Sequence, residues 1–115
     1  MFHNCGELLD GMVQRFARLD PAILSLGSSR QLWTDATLLP RSTVLYGNLP
    51  TKQFYSDELW SEDKVCQLAA SLDQRLRAVS HPFILGSECD VLSVPGREET
   101  IKNKVAAFLA AGQLA

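Results

Sequence analysis

His3 and Cys5 stand two residues apart near the start of the chain, and Cys89 stands far downstream in the run Gly86-Ser87-Glu88-Cys89-Asp90. On an extended segment, residues i and i+2 point to the same side, so the imidazole and thiol of the H-x-C pair project together. An imidazole and two thiolates suit Zn²⁺. Three protein ligands also leave a coordination position for water or substrate, as in catalytic zinc sites. The pattern is short and cysteine is a common core residue, so composition and spacing alone favour packing over metal binding. The third cysteine, Cys66, lies beside Val65 and near Leu68 and Ala69, and reads as a small core hydrophobe.

The elements that would position these residues follow from hydrophobic periodicity. Leu8, Leu9, Met12, Val13, Phe16 and Ala17 recur at helical spacing, and Asp20-Pro21 stops that helix. Ala22 to Leu26 is an apolar run ending at Gly27 and reads as a buried strand. Ser28 or Ser29 is placed to cap a second helix carrying Leu32, Trp33, Ala36 and Leu39, which ends at Pro40. Thr43-Val44-Leu45-Tyr46 is the next strand, closed by Gly47-Asn48. Ser61, followed by Glu62 and Asp63, caps the longest helix, with the stripe Val65, Leu68, Ala69, Leu72, Leu76 and Val79. His81-Pro82 breaks it and Phe83-Ile84-Leu85 forms a further strand. A last helix starting near Pro95 carries Ile101, Val105, Phe108 and Leu109, and Met1-Phe2-His3 supplies the end of a first strand.

Strict β–α alternation with short apolar strands predicts a parallel sheet. Four βα units are half of the eight that a closed barrel needs, so the expected fold is α/β, half of a (β/α)8 barrel, with residues 1–115 as one domain. The first strand is cut almost at its end, and the outer strands would present unpaired edges. Pairing with a missing N-terminal half, a companion chain or a second copy is therefore expected. An open four-stranded sheet is the alternative.

Ligands of α/β folds bind beyond the carboxyl ends of the strands. That rim carries His3, Cys5, Gly27, Gly47, Asn48 and Cys89, while His81 enters the last strand from the opposite rim and is expected at the surface. Gly47 permits close backbone approach and Asn48 offers an amide, which suits either a substrate contact or an ordinary turn before Pro50. Trp33 and Trp60 read as packing or interface residues, and Arg97-Glu98-Glu99 as a solvated first helical turn.

Composition narrows the function classes. Eleven basic and thirteen acidic residues give a net charge of −2, which offers no electrostatic case for a nucleic-acid or anionic-membrane partner. No apolar run approaches the roughly 18 residues of a membrane span, and the start lacks a secretory pattern, so the expected location is cytoplasmic. An odd number of cysteines in such a chain argues against a disulfide framework.

His3-x-Cys5-Gly6 opening a βα unit, Leu45-Tyr46-Gly47-Asn48-Leu49 ending a strand, and Ile84-Leu85-Gly86-x-x-Cys89 followed by Pro95 together resemble the C-terminal half of the uroporphyrinogen decarboxylase superfamily. The H-x-C with a distant third cysteine is similar to the zinc motif of its methylcobamide:coenzyme M methyltransferase branch. The decarboxylases proper carry a G-H-G-like turn where this chain has Gly86-Ser87-Glu88-Cys89. The resemblance implies a (β/α)8 barrel, zinc on His3, Cys5 and Cys89, and transfer of a methyl group from a corrinoid (methylcobamide), carried by a corrinoid protein, to a small zinc-activated thiol. Coordination fits that chemistry, since it deprotonates the thiol and the thiolate is the nucleophile. On this reading Glu88 or Asp90 fills the fourth position or orients His3. Gly27 departs from the family, many of whose members have an acid there. Two alternatives accompany this reading: a decarboxylase-like protein of porphyrin metabolism that binds no metal, and a non-catalytic half-barrel subunit that needs a partner.

Overall fold

The computed structural model describes residues 1–113. Strand β1 (Phe2–Asn4) is followed by helix α1 (Asp10–Ala17), strand β2 (Ile23–Leu26), and helix α2 (Leu32–Asp35), which runs on into a 3₁₀ turn at Ala36–Leu38. Strand β3 (Val44–Leu49), a second 3₁₀ turn at Thr51–Gln53, helix α3 (Glu62–Ala78), strand β4 (Phe83–Ser87) and helix α4 (Glu98–Gln113) complete the order. The four strands form one sheet in the order β1-β2-β3-β4 and every pair is parallel, as alternation predicts. No helix among the described residues is long and apolar enough to cross a membrane.

Register explains why the two faces of this sheet differ. Phe2, Leu24, Leu45 and Phe83 align across the strands as one row, and His3, Ser25, Tyr46 and Ile84 align as the next. Successive side chains alternate between faces, so the two rows point oppositely. Leu24, Leu26 and Leu45 form one buried cluster with Val13 of α1, Leu32 of α2, and Leu72 and Leu76 of α3. Leu49 forms a second with Val65 and Ala69 of α3 and Ile101 and Phe108 of α4, and Leu85 borders both clusters. All four helices therefore cover one face. The opposite row carries no helix among the described residues, and Ile84 within it is 44% exposed.

Several boundaries and environments differ from the sequence reading. Gly47-Asn48-Leu49 and Gly86-Ser87 continue their strands instead of closing them. A Cβ at Gly86 would lie 2.5 Å from the Tyr46 ring, so this glycine is a packing requirement inside a strand rather than a turn signal. Neither Ser28 nor Ser29 caps α2: Gln31 stands at the cap, and the Ser28 N–H instead donates to Glu88 Oε2 at 3.0 Å. Ser61 does cap α3, its Oγ accepting from Lys64 N at 3.2 Å. Helix α4 begins at Glu98, three residues after Pro95.

Cys66 is exposed, not a core residue. The buried line of α3 runs Val65, Ala69, Leu72 and Leu76, and a residue one position from Val65 is turned about 100° around the helix, out of that line. His81 is buried rather than at the surface, because its Nε2 pairs with the Thr43 carbonyl at 2.7 Å below the start of β3. Leu9, Met12, Val79 and Leu109, counted with the apolar stripes, are exposed because those stripes are wider than the surface they cover. In α4 the unexpected buried residue is Lys104, whose Nζ donates to the Phe54 carbonyl and pairs with Asp57, both at 2.8 Å.

Candidate metal centre

The carboxyl ends of β1 and β4, the two edge strands, bring the chemistry together. One ligand atom each from His3, Cys5 and Cys89 lies within 4.8 Å of the others, although 83 intervening residues separate the two cysteines (from 6 to 88). His3 sits in β1, Cys5 follows its last residue, and Cys89 follows β4 by two residues. Tetrahedral zinc–sulfur geometry requires sulfurs about 3.8 Å apart, so small side-chain rotations separate this cluster from a coordinating one. His3, Ser25, Tyr46, Ser87, Cys89 and Asp90, with Met1, line an open cavity of 450 Å³ on the helix-free face.

Neighbouring residues position each candidate ligand. Ser25 aligns with His3 in the β1–β2 ladder, and its Oγ lies 2.8 Å from His3 Nδ1. That contact engages Nδ1 and leaves Nε2 as the free ring nitrogen, the arrangement in which a metal-binding histidine has an outer partner. The hydrogen bond that His3 Nδ1 makes is thus to Ser25 and not to Glu88 or Asp90, although Asp90 lines the same cavity. Glu88 is buried and accepts from Ser28 N, while its own N–H donates to the Leu49 carbonyl at 2.8 Å.

Gly27 sets the position of Cys5. A Cβ on Gly27 would lie 2.7 Å from the Cys5 carbonyl oxygen, so the loops after β1 and β2 can touch only if this residue is glycine. Thr51, fully buried after β3, donates to the Asp90 carbonyl at 3.1 Å and steadies the loop that carries Cys89.

Lys52 is the cation of the site. Its Nζ lies 3.5 Å from Cys5 Sγ. The Cys89 thiol holds the Cys5 thiol below its ordinary range; burial opposes this, and the Lys52 ammonium adds to the lowering. Reciprocally, Cys5 raises Lys52. Sequence reasoning missed Lys52 and Ser25. Lys52 belongs to no spacing pattern, but Ser25 was findable as the lone polar residue within Ile23-Leu24-Ser25-Leu26, beside the strand that carries His3.

Gly47 and Asn48 are not brought to this cluster. The Asn48 amide nitrogen donates to the Gly27 carbonyl at 2.9 Å and the Arg30 carbonyl at 2.6 Å. Its side chain borders a different cavity of 330 Å³, whose walls include Trp33, Gln53, Trp60 and Leu72. A Cβ at Gly47 would meet the Leu26 carbonyl at 3.3 Å, and its φ of +135° favours glycine. Trp33 and Trp60 pack as expected, Trp33 beneath the Arg75 guanidinium at 4.4 Å and Trp60 donating to Gln53 Oε1 at 2.7 Å.

No protein-family model matches the chain, and no curated protein matches it.

Proposed function

We propose that the chain is half of a (β/α)8 barrel of the uroporphyrinogen decarboxylase superfamily and that His3, Cys5 and Cys89 hold zinc for methyl transfer to a thiol. The observation that carries this reading is the convergence of one imidazole and two sulfurs within 4.8 Å at the carboxyl rim of a parallel sheet. The donor set fits zinc: one borderline nitrogen with its second nitrogen engaged by Ser25, two soft sulfurs, and an open cavity beside them. When bound, zinc would supply the positive charge that keeps a substrate thiol deprotonated and nucleophilic. The chain's own residues then orient and hold: Ser25 fixes the His3 ring, Gly27 admits the Cys5 backbone, Thr51 steadies the Cys89 loop, and Lys52 places a positive charge beside Cys5. The methyl donor, a corrinoid on a partner protein, comes to the proposal from the sequence resemblance.

Sequential parallel strands with every helix on one face support the half-barrel part of the reading. This is the arrangement of consecutive βα units in a barrel wall, where the bare face points inward. A barrel rim is built from eight loops and this chain supplies four, so catalysis is expected only when another half completes the wall.

Elemental analysis of untagged protein purified without chelator tests the metal. The expected result is about one zinc per chain, lost in His3→Ala and in Cys89→Ser. Zinc-free protein that is folded by circular dichroism would overturn the methyltransferase reading and leave the metal-free, decarboxylase-like one, whereas zinc retained in both variants would overturn the assignment of His3 and Cys89 as its ligands.

A further inference from the structure

Cys5 and Cys89 meet two conditions for a second chemistry. Their sulfurs lie within 4.8 Å of each other, and both residues sit outside the strands, in the loops that follow β1 and β4. Both are partly exposed, and Cys89 lines the open cavity, so a small oxidant reaches them from solvent. Cys66 is exposed on α3, its Sγ 3.8 Å from the Ala107 carbonyl of α4, and takes no part in this pair.

We infer that Cys5 and Cys89 are an oxidative modification site that hydroperoxides close to an intramolecular disulfide. One sulfur attacks the peroxide O–O bond and becomes a sulfenic acid, releasing an alcohol, or water from hydrogen peroxide. The second sulfur attacks the first, a sulfur–sulfur bond forms, and the sulfenic oxygen leaves as water. The two sulfurs together lose two electrons, and the peroxide gains them. Bond formation requires the sulfurs to close to about 2.05 Å, an approach that rotation of the two side chains has to supply. The oxidation stands on the sulfur pair alone; its effect on metal rests on the zinc reading above. There it removes two of three ligands, so the oxidised chain holds no zinc and dithiol reduction restores uptake.

Metal-free Cys66→Ser protein treated with hydrogen peroxide tests this, because the exposed competing thiol is gone. The expected product is a monomeric species lacking two hydrogens by intact mass, with a Cys5–Cys89 crosslink in its non-reduced peptide map. Sulfinic acid at both positions, or disulfides only between chains, would overturn the inference. His3→Ala separates this inference from the metal reading, since that variant is expected to lose zinc and keep the crosslink. An unmodified chain that binds zinc but forms no crosslink once stripped would sink the oxidation alone. Oxidised protein that still takes up zinc would sink the link between the two.

Discussion

Ser25 Oγ lies 2.8 Å from Nδ1 of His3, across adjacent parallel strands at matched register. An outer partner of this kind sets the orientation of an imidazole and the nitrogen it presents. Ser25→Ala is expected to keep the fold, because it removes one oxygen, and to weaken zinc binding by about 10-fold or more. Competition against a chromophoric chelator measures this, and unchanged affinity would show that His3 is oriented by other means.

Gly27→Ala places a methyl group where only 2.7 Å separates it from the Cys5 carbonyl. Backbone on both sides has to shift, so a loss of about 1–3 kcal/mol in stability is expected by urea denaturation. Zinc affinity is expected to fall in the same variant, because Cys5 moves with its carbonyl. A variant as stable as the parent would mean that these loops do not meet.

Lys104 is fully buried and its two partners, the Phe54 carbonyl and Asp57, belong to the segment between β3 and α3. Lys104→Met strands the Phe54 carbonyl and is expected to cost about 2 kcal/mol. Lys104 also holds the Asp57 carboxyl below the ordinary range. With the folded value lowered, this contribution is complete above the ordinary aspartate value and lost as pH falls through the lowered one. Asp57→Asn should therefore narrow the stability difference between about pH 6 and about pH 3. Parallel acid profiles for the two proteins would rule out the coupling.

The bare row His3, Ser25, Tyr46 and Ile84 runs across the sheet from β1 to β4, the two edge strands, which each have one unpaired side among the described residues. Such edges pair with other chains. Concentration-dependent association is expected by light scattering, and Ile84→Lys, a charge on the exposed face, should reduce it. A parent chain that stays monomeric as its concentration is raised would sink this expectation.

What the sequence disclosed depended on whether one local pattern was enough. Alternation of apolar runs and amphipathic stripes sufficed for all four strands and their parallel order, and the H-x-C pair and Cys89 were singled out correctly as neighbours-to-be. Residues whose role is defined by a distant partner were illegible. Gly86 looked like a turn because nothing local shows the Tyr46 ring above it. His81 looked like a surface residue because its acceptor, the Thr43 carbonyl, is 38 positions away in sequence. Cys66 was misplaced for a different reason: its neighbours in sequence are apolar, but its neighbours in space are set by the 3.6-residue turn.

Strand β1 is three residues long, pairs on one side only among the described residues, and bears the exposed His3, with Cys5 immediately beyond it. An edge so lightly held opens at lower free energy than the rest of a domain, without global unfolding. Two of the three proposed metal donors therefore ride on the segment expected to fray first. Amide exchange at Phe2 to Asn4 should report the making and breaking of the centre, while the amides of β2 and β3 record the survival of the domain around it.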